Sequence, residues 1–241
     1  MGMTNLILIL KAWFEAIFGL VVPRGCAGCG RPDDVLCPQC QALFRQWSVR
    51  CVLPGCSSRG YACGWYRGAV RRAILSWKDH GDQECDGTFA RALSDLTLTL
   101  LREDCPDCRQ VVLVPAPSSR SSMHKRGRWQ MMPLVRRMRF TLSGTGLDVE
   151  VRAALRLEGV AGKSVQTSGS LARSSRIAGH IQLVDGALDG IESETVVVVV
   201  DDIMTTGATM GQCAHVLESA YHARVIGLAL AMTAPRGSDR Q

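Results

Sequence analysis

Two adjacent acidic residues stand directly after the most apolar run of the sequence. Five consecutive valines end at Val200, and Asp201 and Asp202 follow them. Such a valine run is typical of a strand that is buried on both faces of a parallel sheet. In open parallel sheets ligands bind beyond the carboxyl ends of the strands, so the two carboxylates are expected at a ligand-binding edge. Their oxygens can accept hydrogen bonds from the cis-diol of a sugar.

The residues at positions 205–209 predict an anion-binding turn at the start of a helix. They are Thr205, Thr206, Gly207, Ala208 and Thr209. Free backbone N–H groups and the positive end of the helix dipole attract an anion there, and a glycine lets the anion approach the backbone closely. The turn lacks the Gly-Lys-Ser/Thr ending of a P-loop. A plain capped helix is the simpler interpretation, but a cap needs one acid, and this segment has two acids and three threonines.

Four cysteines with the spacing Cys26-x2-Cys29-x7-Cys37-x2-Cys40 predict a structural metal site. Two Cys-x2-Cys pairs can form a tetrahedral set of thiolates, and four protein ligands leave no open position for catalysis, so we expect one structural zinc ion. The sequence has 11 cysteines, an odd number that fits a secreted disulfide framework poorly. A reducing compartment, the cytoplasm, is therefore expected. Three further cysteines stay without an assigned role: Cys51, Cys56 and Cys63.

A basic stretch without acidic residues runs from position 108 to position 147. The chain carries a formal net charge of +6 at pH 7, and several of its cations lie in the middle of this stretch: Arg120, Lys125, Arg126, Arg128, Arg136, Arg137 and Arg139. A surface of one charge sign suits a polyanion, either a diphosphate or a nucleic acid. A solvated helix face has the same composition, so composition alone does not decide between these alternatives.

The elements around these residues predict an α/β domain. Apolar positions at helical spacing indicate helices over 68–79 and about 87–101, and a short apolar strand at 111–114 ends at Pro115. One apolar helix face follows the anion-binding turn, and a further strand spans 225–232. Strand, turn, helix and strand in this order form a βαβ unit of a parallel sheet. The stretch 152–180 is irregular, which is typical of a functional or mobile loop.

The N-terminal quarter has a different composition. Residues 6–22 are strongly apolar at helical spacing, with Lys11 and Glu15 among them. The stretch is shorter than the about 20 apolar residues of a membrane span, so an amphipathic helix packed on the protein is expected rather than a membrane anchor. Residues 23–63 are rich in Cys, Gly, Pro and Arg, as in a small module folded around metal. We predict an N-terminal helix and zinc module at 1–63 and an α/β domain at 64–241.

The segment 196–209 resembles the signature of the type I phosphoribosyltransferases that binds 5-phosphoribosyl-1-diphosphate (PRPP). The resemblance implies that Asp201 and Asp202 hold the ribose hydroxyls and the geometry of Mg²⁺-PRPP. It also implies that the turn at 205–209 binds the 5′-phosphate. The hypoxanthine-guanine enzymes of this class carry an Asp where this chain has Thr205, and that acid helps to handle the purine. The resemblance therefore gives no support to a purine acceptor.

With its cysteines included, the chain resembles the ComF family of competence-associated, phosphoribosyltransferase-like proteins over most of its length. The cysteine set matches the zinc finger of that family. Further matching elements are Trp-Lys-Asp-His-Gly at 77–81, Val-Pro-Ala-Pro at 114–117, Lys-Arg-Gly-Arg-Trp-Gln at 125–130, and Gln166 with Arg173 or Arg176. The chain departs from the family at Arg128 and Trp129, which replace a Phe-Asn pair, and at Ile177, which stands near a usual Asn.

The ComF resemblance implies a type I phosphoribosyltransferase fold, in which helices flank a parallel sheet, joined to a small zinc module with four cysteine ligands. It implies a diphosphate-binding loop at Pro115, with Lys125, Arg126 and Arg128 as candidate partners of the diphosphate. The stretch 152–180 is the candidate closing loop, where Lys163 and Arg173 are available to reach the leaving oxygens.

Two functions of different classes are consistent with these features. The first is an enzyme that binds Mg-PRPP and transfers its phosphoribosyl group to an unidentified acceptor, with Mg²⁺ clamping the diphosphate. The second is a binding module, PRPP-sensing or DNA-associated, which the zinc finger and the basic stretch favour. The resemblance implies a link to DNA uptake, so single-stranded DNA or the DNA-uptake machinery is a candidate partner. No membrane span is expected.

Overall fold

The computed structural model describes residues 25–47, 49–79, 82–158, 180–192, 194–221 and 223–234. The side chains of residues 49–51, 120 and 125 fall outside this description. The helix predicted at 6–22 and most of the candidate closing loop at 152–180, with Lys163, Gln166, Arg173 and Arg176, also lie outside the described residues. Among the helices that are described, none has the length and apolar character needed to cross a bilayer.

A six-stranded sheet forms the centre of the protein. Its strands are β1 (Val49–Val52), β2 (Arg59–Ala62), β3 (Gln110–Pro115), β4 (Asp148–Val151), β7 (Val196–Met204) and β8 (Arg224–Met232). They lie in the order β1-β2-β8-β7-β3-β4. All neighbours from β2 to β4 are parallel, and β1 pairs antiparallel with β2 at the edge. The strands β5 (Leu155–Leu157) and β6 (Ile181–Leu183) form a separate antiparallel ribbon.

Helices cover both faces of this sheet. They are α1 (Pro38–Ala42), α2 (Gly68–Asp79), α3 (Cys85–Asp104), α4 (Arg120–Arg126), α5 (Met131–Ser143) and α6 (Ala208–Ala220). Apolar residues of α2, α3 and α5 form one core, and those of α6 join a second core on the other face. The β7 valines alternate between the two cores, because successive strand residues point to opposite faces. The predicted parallel sheet, flanked by helices and accompanied by a four-cysteine cluster, is confirmed.

The strand that carries the two acids is longer than predicted. β7 continues to Met204, so Asp201 and Asp202 lie within the strand and not at the start of a loop. The neighbouring strand β8 stays paired with this part of β7, with Ala229 opposite Asp201 and Met232 opposite Met204. The extra pairing partners explain why the strand does not end at the acids, although acidic residues are depleted in strands.

The strands β1 and β2 precede position 64 but belong to the main sheet. The cysteine-bearing segment 25–47 also packs on the main core, where the rings of Phe44 and Phe89 lie 5.1 Å apart between centroids. The N-terminal part of the chain is thus joined to the α/β domain by strand pairing and by a common core. For this reason we propose that the cysteine module ends near residue 47 and not at the predicted boundary after residue 63.

Candidate functional site

The carboxyl ends of β7 and β3 lie side by side. Pro115 is the register partner of Val200, and the Ala116 N–H donates to the Val200 carbonyl over 2.8 Å. The polypeptide therefore leaves β3 directly beside the first of the two acids, Asp201. The structure thus brings the predicted acid pair and the predicted diphosphate loop to one edge of the sheet.

The two acids face different sides of that edge. Because successive strand residues point to opposite faces, Asp202 lies on the side of α2 and Asp201 on the side of α6. On the α6 side is the Cys213 thiol, whose pKa is raised mainly by burial and also by the charge of Asp201. The Asp202 N–H donates to Asp201 Oδ1 over 2.8 Å, which orients the Asp201 carboxylate. A ligand above the edge would meet one carboxylate from each side.

The turn between β7 and α6 has the backbone shape that the sequence predicted. Gly207 precedes the first helical residue with a φ of 75°, a left-handed conformation that favours glycine. A Cβ at this position would also lie 3.2 Å from Cδ of Pro54. The Ala208 N–H donates to Oγ1 of Thr206 over 3.3 Å. The turn therefore presents the N-terminal end of a 13-residue helix next to the acids, and phosphate binding by Thr205 to Thr209 stays a prediction.

Sequence reasoning missed a lysine at this edge. Lys78, in the last turn of α2, has its Nζ 2.5 Å from Oδ2 of Asp202, and the two side chains are only 18% and 14% exposed. The ion pair joins α2 to β7 and partly neutralises the acids. The sequence offered little signal for it, because a lysine near the end of a helix is common. It appeared only as part of the Trp-Lys-Asp-His-Gly element.

The pKa of Asp201 is unusual for a carboxyl group. Burial and, to a smaller extent, the negative charge of Asp202 raise this pKa, whereas Lys78 and the Asp202 N–H lower it, and the net pKa is about 7. Near neutral pH, Asp201 is therefore protonated in a large share of molecules. A protonated carboxyl group can donate a hydrogen bond as well as accept one. The edge can in this way bind hydroxyl groups without carrying two full negative charges.

The loop after β3, residues 116–130 with the short helix α4 inside it, is attached to the same edge at two points. Nε1 of Trp129 donates to the Ala116 carbonyl over 3.2 Å. Nε2 of the buried Gln130 donates to the Lys78 carbonyl over 2.9 Å. The first contact fixes the loop to the end of β3, and the second fixes it to the last turn of α2. The loop that contains the predicted diphosphate partners is thereby held close to the acids.

Arg128, one of those predicted partners, makes a bidentate ion pair inside the protein. Its two terminal nitrogens lie 3.0 and 3.1 Å from the carboxylate oxygens of Asp86, whose side chain is 4% exposed. The same carboxylate accepts a hydrogen bond of 2.6 Å from Nε1 of Trp77. Arg128 therefore connects the loop to α3 and α2. Its predicted contact with diphosphate stays a prediction, and this geometry favours a supporting role.

Arg126 is less tightly held than Arg128. Its Nε lies 3.9 Å from Oδ1 of Asp79, and both side chains keep contact with solvent. The side chain of Lys125 is outside the described residues, although its backbone belongs to α4. Among the predicted cations, Arg126 thus lies beside the last turn of α2, and its guanidinium is exposed enough to bind a ligand.

The four predicted metal ligands converge. The Sγ atoms of Cys26, Cys29, Cys37 and Cys40 all lie within 4.8 Å of one another, a spread that suits ligands about 2.3 Å from a tetrahedral zinc ion. Burial raises the pKa of the Cys26 thiol, but backbone N–H groups of Cys37, Cys29 and Gly28 outweigh this effect and lower it to about 6. A thiolate is the form that binds metal. The cluster fits zinc, which here would act as a cross-link.

The comparisons with known proteins give a fold likeness at low similarity. No protein-family model and no curated protein matches the sequence. A hypoxanthine phosphoribosyltransferase from Staphylococcus aureus is 16% identical, with 62% of this chain and 64% of that chain covered and a TM-score of 0.36. The Trypanosoma cruzi enzyme in complex with its product IMP is 14% identical, with 65% and 74% covered and a TM-score of 0.37. This chain thus spans less than two thirds of the S. aureus enzyme.

Proposed function

We propose that this protein is a phosphoribosyltransferase of the ComF kind, which binds Mg-PRPP and transfers its phosphoribosyl group to an acceptor that is still to be identified. One observation carries the proposal. The paired acids, the glycine turn at the start of a helix and the Pro115 turn meet at one edge of a parallel sheet. A simple helix cap would need only one of these three features. Thiolate ligands for zinc persist in a reducing environment, so we propose the cytoplasm as the compartment.

Each part of PRPP has a matching feature at this edge. The positive end of α6 and the turn at 205–209 suit the 5′-phosphate. The carboxyl groups of Asp201 and Asp202 suit the ribose hydroxyls. The Pro115 turn and Arg126 lie on the side where the diphosphate would extend. The ribose would then be held at both ends, with its C1 atom towards the loop after β3.

The proposed transfer exchanges one bond at the ribose C1 atom for another. The bond from C1 to the diphosphate oxygen breaks, and its electron pair leaves with the diphosphate. A nucleophilic atom of the acceptor supplies the electron pair for the new bond and gives up its proton to solvent. Because positive charge develops on the ribosyl group, the protein must fix the ribose and exclude water. Mg²⁺, which accompanies PRPP, would neutralise charge on the departing diphosphate.

Thermal unfolding in the presence of PRPP and Mg²⁺ tests the proposal. A ligand that binds only the folded state stabilises it by about 2.7 kcal/mol at a hundredfold excess over Kd, so the melting temperature should rise. The double change Asp201→Asn, Asp202→Asn removes the carboxylate of Asp202 and the carboxyl group of Asp201, which is charged in only part of the molecules near neutral pH. Each charge-assisted hydrogen bond is worth about 1.5–3 kcal/mol, so binding should fall at least tenfold. Gly207→Val should abolish binding, because a β-branched residue is strained at this φ and would block the phosphate.

The matched control is Asp107→Asn, which changes an exposed acid in the turn before β3, at the opposite end of that strand. This variant should bind PRPP as the wild type does. No PRPP-dependent stabilisation of the wild type, or a double variant that binds equally well, would contradict the proposal. Exchange of labelled diphosphate into PRPP, measured with candidate bases present, then separates an enzyme from a PRPP-sensing module. Binding without exchange would favour the sensing module.

One observation favours DNA association as a second candidate function. Phe140 on α5 is 86% exposed, and Arg136 and Arg137 are exposed one turn earlier on the same helix. Aromatic rings beside cations are surfaces on which the bases of single-stranded nucleic acids stack. Fluorescence anisotropy with a labelled single-stranded oligonucleotide tests it. Phe140→Ala should weaken binding, and Arg136→Ala should reduce its salt dependence. No binding at low salt would reject this function.

A further inference from the structure

The ion pair between Lys78 and Asp202 lies where the proposed ligand would bind. The ammonium group is 2.5 Å from Oδ2 of Asp202, and only 14% of that acid's side chain is exposed. In the proposed function this carboxylate accepts a hydrogen bond from a ribose hydroxyl. A ribose hydroxyl that approaches Oδ2 would therefore compete with the ammonium for that oxygen atom.

The backbone of Lys78 is held in place by its neighbours. Its carbonyl accepts the hydrogen bond from Gln130, and the preceding residue, Trp77, is fully buried with its Nε1 on Asp86. The lysine side chain, by contrast, has four flexible carbons between the backbone and a compact charge. The ammonium can therefore move over several ångströms while the last turn of α2 stays in place.

The last turn of α2 also contacts the loop after β3, which is proposed to bind the diphosphate. The next residue, Asp79, lies beside Arg126 of the loop after β3, on the side proposed for the diphosphate. Gln130 of the same loop contacts the Lys78 backbone. The Lys78 side chain thus starts between the acids of β7 and the loop that carries the candidate diphosphate partners.

We propose that Lys78 is a displaceable counter-ion: it neutralises Asp202 in the ligand-free protein, leaves that carboxylate when ribose hydroxyls arrive, and then binds an oxygen of the diphosphate. This inference rests on the proposed binding of PRPP at the same site. Its consequence is a preference for PRPP over ribose 5-phosphate. Ribose 5-phosphate brings the same hydroxyls but no diphosphate, so it displaces the ammonium without offering it a new partner.

The substitution Lys78→Met tests the inference, because it keeps an unbranched side chain of similar length and removes the charge. PRPP with Mg²⁺ should bind about tenfold more weakly or worse, since a charge-assisted contact is lost. Ribose 5-phosphate should bind at least as tightly as to the wild type, because its competitor for Asp202 is gone. Isothermal titration with each ligand measures both values. Lys78→Arg, which keeps a cation, should restore part of the PRPP affinity.

Arg71→Met serves as the matched control, since Arg71 is an exposed cation of the same helix. It should leave both affinities unchanged. If Lys78→Met weakens both ligands equally, Lys78 acts only as a static partner of Asp202 and the inference is wrong. Unchanged binding of both ligands would overturn it as well. If Lys78→Met does not fold, Lys78→Gln, which also removes the charge, should still bind PRPP more weakly relative to ribose 5-phosphate than the wild type does; an unchanged ratio of the two affinities would overturn the inference. Failure of the wild type to bind either ligand would instead identify the proposed function as the error, and the inference would fail with it.

Discussion

Replacing Asp201 by Asn should stabilise the protein, and the gain should increase with pH. The carboxyl group has its pKa raised from 3.8 to about 7 by burial and by Asp202. Asparagine has the same size and keeps an Oδ1 acceptor for the Asp202 N–H. The variant therefore removes the charge with little change in shape.

The sign and the size of the effect follow from the two pKa values. Below about pH 4 the carboxyl group is protonated in the folded and the unfolded chain, and its ionisation does not affect stability. Between about pH 4 and pH 7 the unfolded chain releases the proton while the folded chain keeps it, so the wild type loses stability as pH rises. A difference from 3.8 to about 7 corresponds to about 4 kcal/mol, at 1.36 kcal/mol for each pH unit. Because the side chain keeps some contact with solvent, we expect about 2 kcal/mol at pH 8.

Urea unfolding of the wild type and Asp201→Asn at several pH values measures this difference. The free energies of unfolding should separate by about 1–2 kcal/mol more at pH 8 than at pH 5.5. Asp202→Asn is the matched control, since it neutralises the neighbouring acid but leaves Lys78 without its partner. It should destabilise the protein and flatten the pH dependence. A separation that does not change with pH, or a less stable Asp201→Asn at pH 8, would refute the reasoning.

Three further changes test other parts of the structure. Cys37→Ser should lower the zinc content, measured by metal analysis, from about one ion per chain to well under half an ion. Because the cysteine segment shares the main core, the same change should also lower the urea midpoint of the whole chain. Gly211→Ala should destabilise the protein by about 1–3 kcal/mol, because the new Cβ would overlap the Pro54 carbonyl oxygen. Alanine has the better helix propensity, so a urea titration that shows stabilisation would contradict this prediction. Asp86→Asn should lower the free energy of unfolding by about 3 kcal/mol, because it leaves Arg128 without its charged partner. Thermal unfolding should show that the double variant Asp86→Asn, Arg128→Met is only slightly less stable than Asp86→Asn.

The features that could be predicted from the sequence depend on residues close together in the chain. The valine run identified a strand buried on both faces, because burial on two sides leaves no polar alternation. Gly207 identified the turn, since a left-handed backbone conformation favours one residue type. The cysteine spacing identified the cluster, because each Cys-x2-Cys pair brings two thiols together locally. In each case the local residue pattern itself limits the possible structures.

The features that could not be predicted depend on contacts between distant segments. The pairing of Lys78 with Asp202 and of Arg128 with Asp86 requires α2, α3 and β7 to be assembled first. Neither lysine nor arginine has a local pattern that reveals its partner, and a solvated cation has the same appearance in sequence. The position of β2 in the main sheet could not be predicted for the same reason. Its sequence is short and lies among the glycines and cysteines of the N-terminal segment, and its partner is the last strand of the sheet.

The pairing of β2 with β8 also constrains how the protein is made. Arg59 lies opposite Ile226 in the parallel register, so a ribosome must add about 170 residues after β2 before its partner exists. At about 5–20 residues per second, β2 waits about 10–30 s during translation. The four cysteines, by contrast, lie within 15 residues of one another, so their segment could close around a metal ion as soon as it emerges. A nascent chain that stops before β8 would expose the edge of β2 and one face of each core, so truncated products should be degraded and not retain partial activity.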